Sequence, residues 1–314
     1  MDGSPSVAAQ VAAKEAAARS KVVVGLALAM VGAVGFSGKA IIVKLAYRHG
    51  VDPVTLIMLR MLFALPIFVI MACWASWGKA PLTGKDWLGV VGLGFTGYYF
   101  SSFLDFAGLQ YISASLERLI LYLNPTLVLL LSLLFYRKRV TLRQMLGMAI
   151  SYGGVVLVFG SEITTQGSHA AWGALLVFLS AITYAMYLVY SGEIVRRLGS
   201  LRLVGLASTV ACLCCILQFV LLRPLTLENV ASEVLWLSLI NATACTVAPG
   251  LMVMMAVERI GASMTAQTGM VGPISTILMG VLILGEPFTA WVAAGTVLVL
   301  AGIYVVTRSQ RPGT

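Results

Sequence analysis

The chain has 314 residues, of which 60% are hydrophobic and 11% charged, with a formal net charge of +9. A soluble domain is nearer half apolar and a quarter charged, so a soluble fold of this length is excluded and the chain reads as an all-α integral membrane protein. The positive balance does not point to nucleic acid, because Lys and Arg fall mainly between apolar blocks and act as a topology signal.

Residues 1–21 form an Ala-rich tail with Lys14, Arg19 and Lys21. No small-residue cleavage site follows the first apolar stretch, so that stretch is expected to be a retained span and not a signal peptide. About 20 mostly apolar residues cross a hydrocarbon core, and ten such blocks follow in chain order. They cover 22–46, 54–76, 87–108, 112–136, 141–160, 170–192, 203–222, 233–256, 262–284 and 288–307. With an even number of spans both termini lie on one side. Placing them in the cytoplasm puts Lys79, Lys85, Arg137, Lys138, Arg139, Arg143, Arg196, Arg197, Arg202, Arg259, Arg308 and Arg311 there with the tail. The other side receives Arg48, Arg223 and the helix-end Lys44.

The sequence also repeats. Shifted by 148 residues, Ile112-Ser113-Ala114-Ser115 falls on Ile260-Gly261-Ala262-Ser263, Pro125 on Pro273, Gly147 and Gly154 on Gly295 and Gly302, and Gly25 on Gly173. The expected halves are 22–160 and 161–307, followed by a cytoplasmic tail at 308–314. Each half holds five spans, an odd number, so the second copy enters the membrane from the opposite side. The expected fold is ten transmembrane helices in two inverted five-helix repeats. The corner Tyr136-Arg137-Lys138-Arg139 is basic, while its mate Leu284-Gly285-Glu286-Pro287 is acidic, as opposite sides require.

Ionisable residues inside spans cost about 2.5–3.5 kcal/mol on insertion scales, so their positions are informative. Lys39 lies deep in the first span. In the third, Gly94, Gly97, Tyr98, Ser101, Asp105 and Gly108 share one helical stripe, whereas Tyr99 falls off it. Small residues alone would indicate close packing, but Asp105 needs a partner, water or a solute. In the fourth, Arg118, Tyr122 and Pro125 share a face beside Glu117 and Asn124. The sixth aligns Ser180, Thr183, Tyr184, Tyr187 and Ser191, and the eighth aligns Ser238, Asn241, Cys245 and Pro249. Pro125, Pro249 and Pro273 interrupt helices at mid-membrane and are expected to kink or gate them. The second, fifth, seventh and tenth spans read as plainer. The five cysteines read as small apolar filler, and His49 and His169 have no metal-ligand spacing.

This layout resembles the EamA-type branch of the drug/metabolite transporter superfamily. Arg60 in Met58-Leu59-Arg60, the Leu284-Gly285-Glu286-Pro287-Phe288-Thr289 corner and the paired Gly147/Gly154 and Gly295/Gly302 carry the resemblance over residues 22–308. It is most similar to bacterial inner-membrane exporters of aromatic and other amino acids. The resemblance implies a multi-pass transporter of the bacterial inner membrane. Lys39 and Arg118 set against Asp105 and Glu117, with Tyr98, Tyr122, Tyr184 and Tyr187 as walls and Ser101, Asn124 and Asn241 as polar points, suit a zwitterion with an apolar side chain. Alternating-access export of apolar or aromatic amino acids is therefore expected. The alternatives are a drug or small-metabolite exporter of the same superfamily and, more distantly, an intramembrane enzyme. No catalytic residue, metal or cofactor is expected; the partners are the solute and lipid, without nucleic acid, and a monomer is compatible.

Overall fold

The computed structural model describes residues 7–136, 141–166, 169–223 and 230–308. The basic corner Arg137–Arg139 and Arg311 lie outside them. The described residues are helical, joined by short turns. They form α1 (Val7–Tyr47), α2 (Pro53–Ser76), α3 (Gly84–Leu93), α4 (Ser101–Leu109), α5 (Ala114–Leu121), α6 (Asn124–Tyr136) and α7 (Leu142–Gln166). The second half supplies α8 (His169–Leu198), α9 (Ser200–Leu222), α10 (Ser232–Ala242), α11 (Ala248–Thr268), α12 (Val271–Met279) and α13 (Ala290–Arg308). Three π-helical turns, Gly94–Phe100, Thr243–Val247 and Gly280–Leu284, splice α3 to α4, α10 to α11, and extend α12. Two of the three occupy equivalent places, since 95–99 shifted by 148 gives 243–247.

Seven helices among the described residues are long and apolar enough to cross a membrane, and two shorter apolar ones, Val271–Leu284 and Ala290–Val306, accompany them. The expected block 87–108 is not one regular helix because the π turn divides it. The expected start of the ninth block at 262 falls inside α11, yet α11 is not straight. Gly32 and Gly35 of α1 pack on Pro249, and Gly25 packs on Ile260, so α11 runs antiparallel to α1. Ser37 then donates to the Gly272 carbonyl at 2.8 Å, about 18 Å back along α1 from Gly25 at 1.5 Å per residue. The chain must double back between Ile260 and Gly272.

Contacts at the helix ends define two faces of the bundle. At one, Asp86 pairs with Arg197, and Arg202 reaches Ser76 at 3.1 Å and the Ala80 carbonyl at 3.0 Å. At the other, Arg223 pairs with Asp52 at 3.0 Å and Arg48 donates to the Leu284 carbonyl at 2.6 Å. Asp52 also caps α2 through Val54 and Thr55. Burial pushes its pKa up, but hydrogen bonds from Thr55 and Arg223 outweigh burial and hold the carboxyl below its ordinary range.

The halves interlock through glycines. A Cβ on Gly25 would meet Ile260 at 2.5 Å and Arg259 at 3.2 Å; one on Gly173 would meet Tyr111 at 2.7 Å and Ile112 at 3.0 Å. These are one contact seen twice, since adding 148 to 25, 111 and 112 gives 173, 259 and 260. Such close approach leaves no room for side chains between the helices.

Candidate functional site

A cavity of about 710 Å³ lies between the halves, within the size range of small-molecule sites. Its lining runs along α1 from Lys39 to Ala29, along α2 from Arg60 to Met71, and to Leu201 and Val204 of α9. It therefore extends from mid-bundle toward the face that carries Ser76 and Ser200. Phe36, Met61, Phe68, Leu188, Val253 and Met254 make much of the wall apolar.

The charged end of the cavity is built around Lys39. Its Nζ lies 2.5 Å from Asp105 Oδ2 and 3.3 Å from Glu117 Oε1. Asp105 has 3% of its surface exposed and Glu117 none, so both carboxylates depend on this one ammonium. Leaving a buried charge with no partner is strongly destabilising, and Lys39, with two carboxylates, keeps one if the other is neutralised. Arg118 donates from Nε to Thr276 Oγ1 at 2.9 Å and from Nη2 to the Phe36 carbonyl at 2.8 Å. It thus ties α5 to α12 and α1 through neutral acceptors.

Beside these charges stands a tyrosine cluster. Tyr98 and Tyr187 meet edge to face with centroids 5.0 Å apart and hydroxyls 3.1 Å apart, and Tyr184 stacks on Tyr187 at 5.6 Å. Gly97 admits the Tyr187 ring, which a Cβ would meet at 2.4 Å. Ser101 and Ser180 bond to one another at 3.0 Å.

The helix breaks are equivalent too. The chain leaves helical pairing at Tyr122–Leu123 and again at Gly269–Met270. Tyr122 donates to the Gly269 carbonyl at 2.6 Å, binding one break to the other. Pro125 and Pro273 sit in the first turns of the helices that restart, α6 and α12. There a missing N–H costs little, so they begin half-helices and do not kink continuous ones. Pro249 is in the first turn of α11, directly after the π turn, against Gly35.

Of the expected site residues, Lys39, Tyr98, Ser101, Asp105, Arg118, Tyr122, Asn124 and Tyr184 line the cavity. Glu117 and Tyr187 lie directly behind it. Asn241 does not reach it: this residue and Ser238 are fully buried, with no partner for either side chain. Pro125 is exposed and is not among the residues that line the cavity, so it does not share the face of Arg118 and Tyr122 as expected. Gly94 packs on Ala207 and Val210 of α9 and Gly108 on Gly173 and Val177, so neither lines the cavity. The π turn between them adds a residue and breaks the 100° arithmetic that put them on one stripe. Tyr99 packs against a core cluster drawn from several helices, with its ring 5.2 Å from Phe95, and does not line the cavity. The second span, expected to be plain, contributes Arg60, Met61, Phe68 and Met71. The depth of Arg60 in an apolar block was the signal for it.

Toward the Asp52 face, carboxylates hold the start of α5. Glu286 accepts from the Ala114 and Ser115 N–H groups at 2.7 and 3.3 Å and from Ser115 Oγ at 2.7 Å. Glu162 accepts from the Ser113 N–H at 3.2 Å and from its hydroxyl. Negative charge at a helix N-terminus is favourable. Lys44 donates to the Ile112 and Leu109 carbonyls at 2.9 and 3.2 Å, so the end of α1 is tied to the turn before α5.

The EamA-like transporter family pattern matches residues 23–160 and again 171–308, two stretches offset by the same 148 residues. The chain is 29% identical over 269 residues to the uncharacterized transporter YcbK of Bacillus subtilis, covering 83% of this chain and 86% of that one. An uncharacterized transporter of Archaeoglobus fulgidus is 27% identical over 266 residues, covering 82% and 90%. A solved crystal structure superposes with a TM-score of 0.61 over 94% of this chain and 99% of its own, at 19% identity, a likeness of fold.

Proposed function

From the premise that the chain belongs to the EamA-like transporter family, and so is a multi-pass membrane transporter, we propose that it exports amino acids with apolar or aromatic side chains across a bacterial inner membrane. The observation that carries this reading is Lys39 held by Asp105 and Glu117 beside Arg118, at the closed end of a cavity walled by Tyr98 and Tyr184. An ammonium and a carboxylate on one solute find charge of both signs there, and its side chain finds ring faces and apolar wall.

The proposed architecture is ten spans in two inverted five-helix repeats, with both termini cytoplasmic. Three observations support it: the doubled contacts, the two family matches at one offset, and the gathering of Lys79, Lys85, Arg196, Arg197 and Arg202 toward one face. With that orientation the cavity points to the cytoplasm and the Glu286–Glu162 corner closes the outside. Alternating access then requires the corner to open while the cytoplasmic end closes. A broader metabolite or drug substrate is the second reading, favoured by Met61, Met71 and Met254 in the wall, since methionine adapts to varied shapes. Uptake of labelled amino acids and lipophilic cations into proteoliposomes, with and without a proton gradient, tests both. Flux of the cations alone would overturn the amino-acid reading.

A further inference from the structure

Arg60 lies in the α2 wall of the cavity with 4% of its surface exposed. Its guanidinium carbon sits 4.6 Å over the Phe106 ring, and its Nε has no hydrogen-bond partner. Among the described residues it makes no ion pair; the nearby carboxylates Asp105 and Glu117 both pair with Lys39. Arg118 spends donors on a carbonyl and a hydroxyl. The inner end of the cavity thus holds three cations, Lys39, Arg60 and Arg118, against two anions, an excess of one positive charge even with both acids ionised. A buried guanidinium with an open donor fork is matched by a planar anionic oxygen group, and leaving it unmatched is costly.

We propose that Arg60 seats a carboxylate of the transported solute, so that this protein selects for acids over the corresponding amides and amines. The proposal rests on the reading of the cavity as the solute site. The Phe106 ring holds the guanidinium in place without consuming its N–H donors, which leaves the fork directed by the solute it meets. Arg60 acts here as a binding residue: the solute brings the negative charge that the cavity lacks.

The test uses the full chain purified in detergent, with binding read from the shift in thermal unfolding. The probes are L-phenylalanine, 3-phenylpropionate, L-phenylalaninamide and phenethylamine. The wild type should bind the two acids at least tenfold more tightly than the amide and amine. Arg60→Gln should lose that preference by weakening the acids alone, and Arg60→Lys should keep part of it. A merely structural role would weaken all four probes together, which overturns the proposal. It is also overturned if L-phenylalanine binds Arg60→Gln as it binds the wild type, if the amide binds the wild type as well as the acid does, or if none of the four binds. Should Arg60→Gln not fold, Arg60→Lys and the wild-type comparison of acid with amide still decide. The amino-acid reading fails separately: 3-phenylpropionate binding through Arg60 while L-phenylalanine does not would retain the carboxylate seat and reject amino acids.

Discussion

Gly147 and Gly302 meet backbone to backbone: a Cβ on Gly147 would lie 2.8 Å from the Gly302 carbonyl oxygen, and one on Gly302 would lie 2.4 Å from that of Gly147. Gly154 and Gly295 repeat the contact at 2.7 and 2.6 Å. Shifting 147 and 302 by 148 in opposite senses gives 295 and 154, so α7 and α13 pack antiparallel about a local two-fold. A two-fold that relates antiparallel helices runs across them, which is the symmetry expected of inverted repeats.

The glycine seam gives the first prediction. At Gly302 a side chain would meet the Ser151 hydroxyl and also two backbone atoms, the Gly147 carbonyl oxygen and the Ser151 nitrogen at 2.6 Å. The backbone atoms cannot rotate away, so the helices must separate to admit one. Gly302→Val should lower stability by about 1–3 kcal/mol, seen as a lower melting temperature and a poorer yield from membranes. Gly160→Ala, where nothing lies within 4 Å, should change neither. Equal behaviour of the two variants would mean that α7 and α13 are not packed through these glycines.

Much of this architecture was legible in the chain. Hydropathy gave the apolar blocks and their order because the bilayer fixes their length. One offset singled out the four glycines of the α7–α13 seam, although it relates Gly147 to Gly295 while Gly147 packs on Gly302. Lys39, Asp105 and Glu117 could be placed together because a charge in lipid needs a partner. The π turns are not legible: Gly94–Phe100 contains nothing that marks an extra residue, so regular 100° spacing sets Gly94 and Gly108 on one stripe with Asp105. Asn241 resembled Asn124 in sequence and differs only in which neighbours surround it. In sequence Arg60 carries the family resemblance and not a site role, because the rest of α2 is apolar, although its depth in the span argues for one.

Tyrosine truncation tests the wall. Tyr98→Ala or Tyr184→Ala should weaken large apolar amino acids by about 1 kcal/mol per ring, several-fold in apparent affinity, and glycine or serine much less. Tyr122→Ala should act differently, because its hydroxyl pins the Gly269 carbonyl: the loss should fall on all solutes. Tyr99→Ala, outside the cavity, is the control. If the competition panel places the largest effect at Tyr99, the wall is on another face.

Closure at the Asp52 face depends on the carboxylate caps of α5. Glu286→Gln keeps one acceptor oxygen and sets its NH2 group against an N–H donor of Ala114 or Ser115. At least one hydrogen bond is lost, at a cost of about 1.5–3 kcal/mol, which should raise the population open on that side. A cysteine placed at Thr289, which lines a smaller cavity of about 360 Å³ beside Lys44 and Glu286, should then react faster with a membrane-impermeant maleimide. Unchanged labelling would remove Glu286 from the gate.

The orientation is checked in the same way. With the native cysteines replaced, single cysteines at Lys79 and Arg196 should react only after the inner face is exposed, and those at Arg48 and Arg223 in intact cells. The reverse pattern would invert the topology and turn the cavity outward.

The central question is whether the charges gathered at Lys39, Asp105 and Arg118 serve transport. The deciding measurement is counterflow of labelled L-phenylalanine in proteoliposomes that contain equal amounts of folded wild type, Asp105→Asn or Arg118→Gln. The account predicts rapid exchange by the wild type and at least a tenfold loss in each variant, with both variants inserted and monodisperse. Exchange at the wild-type rate in both would place the solute elsewhere and contradict the account.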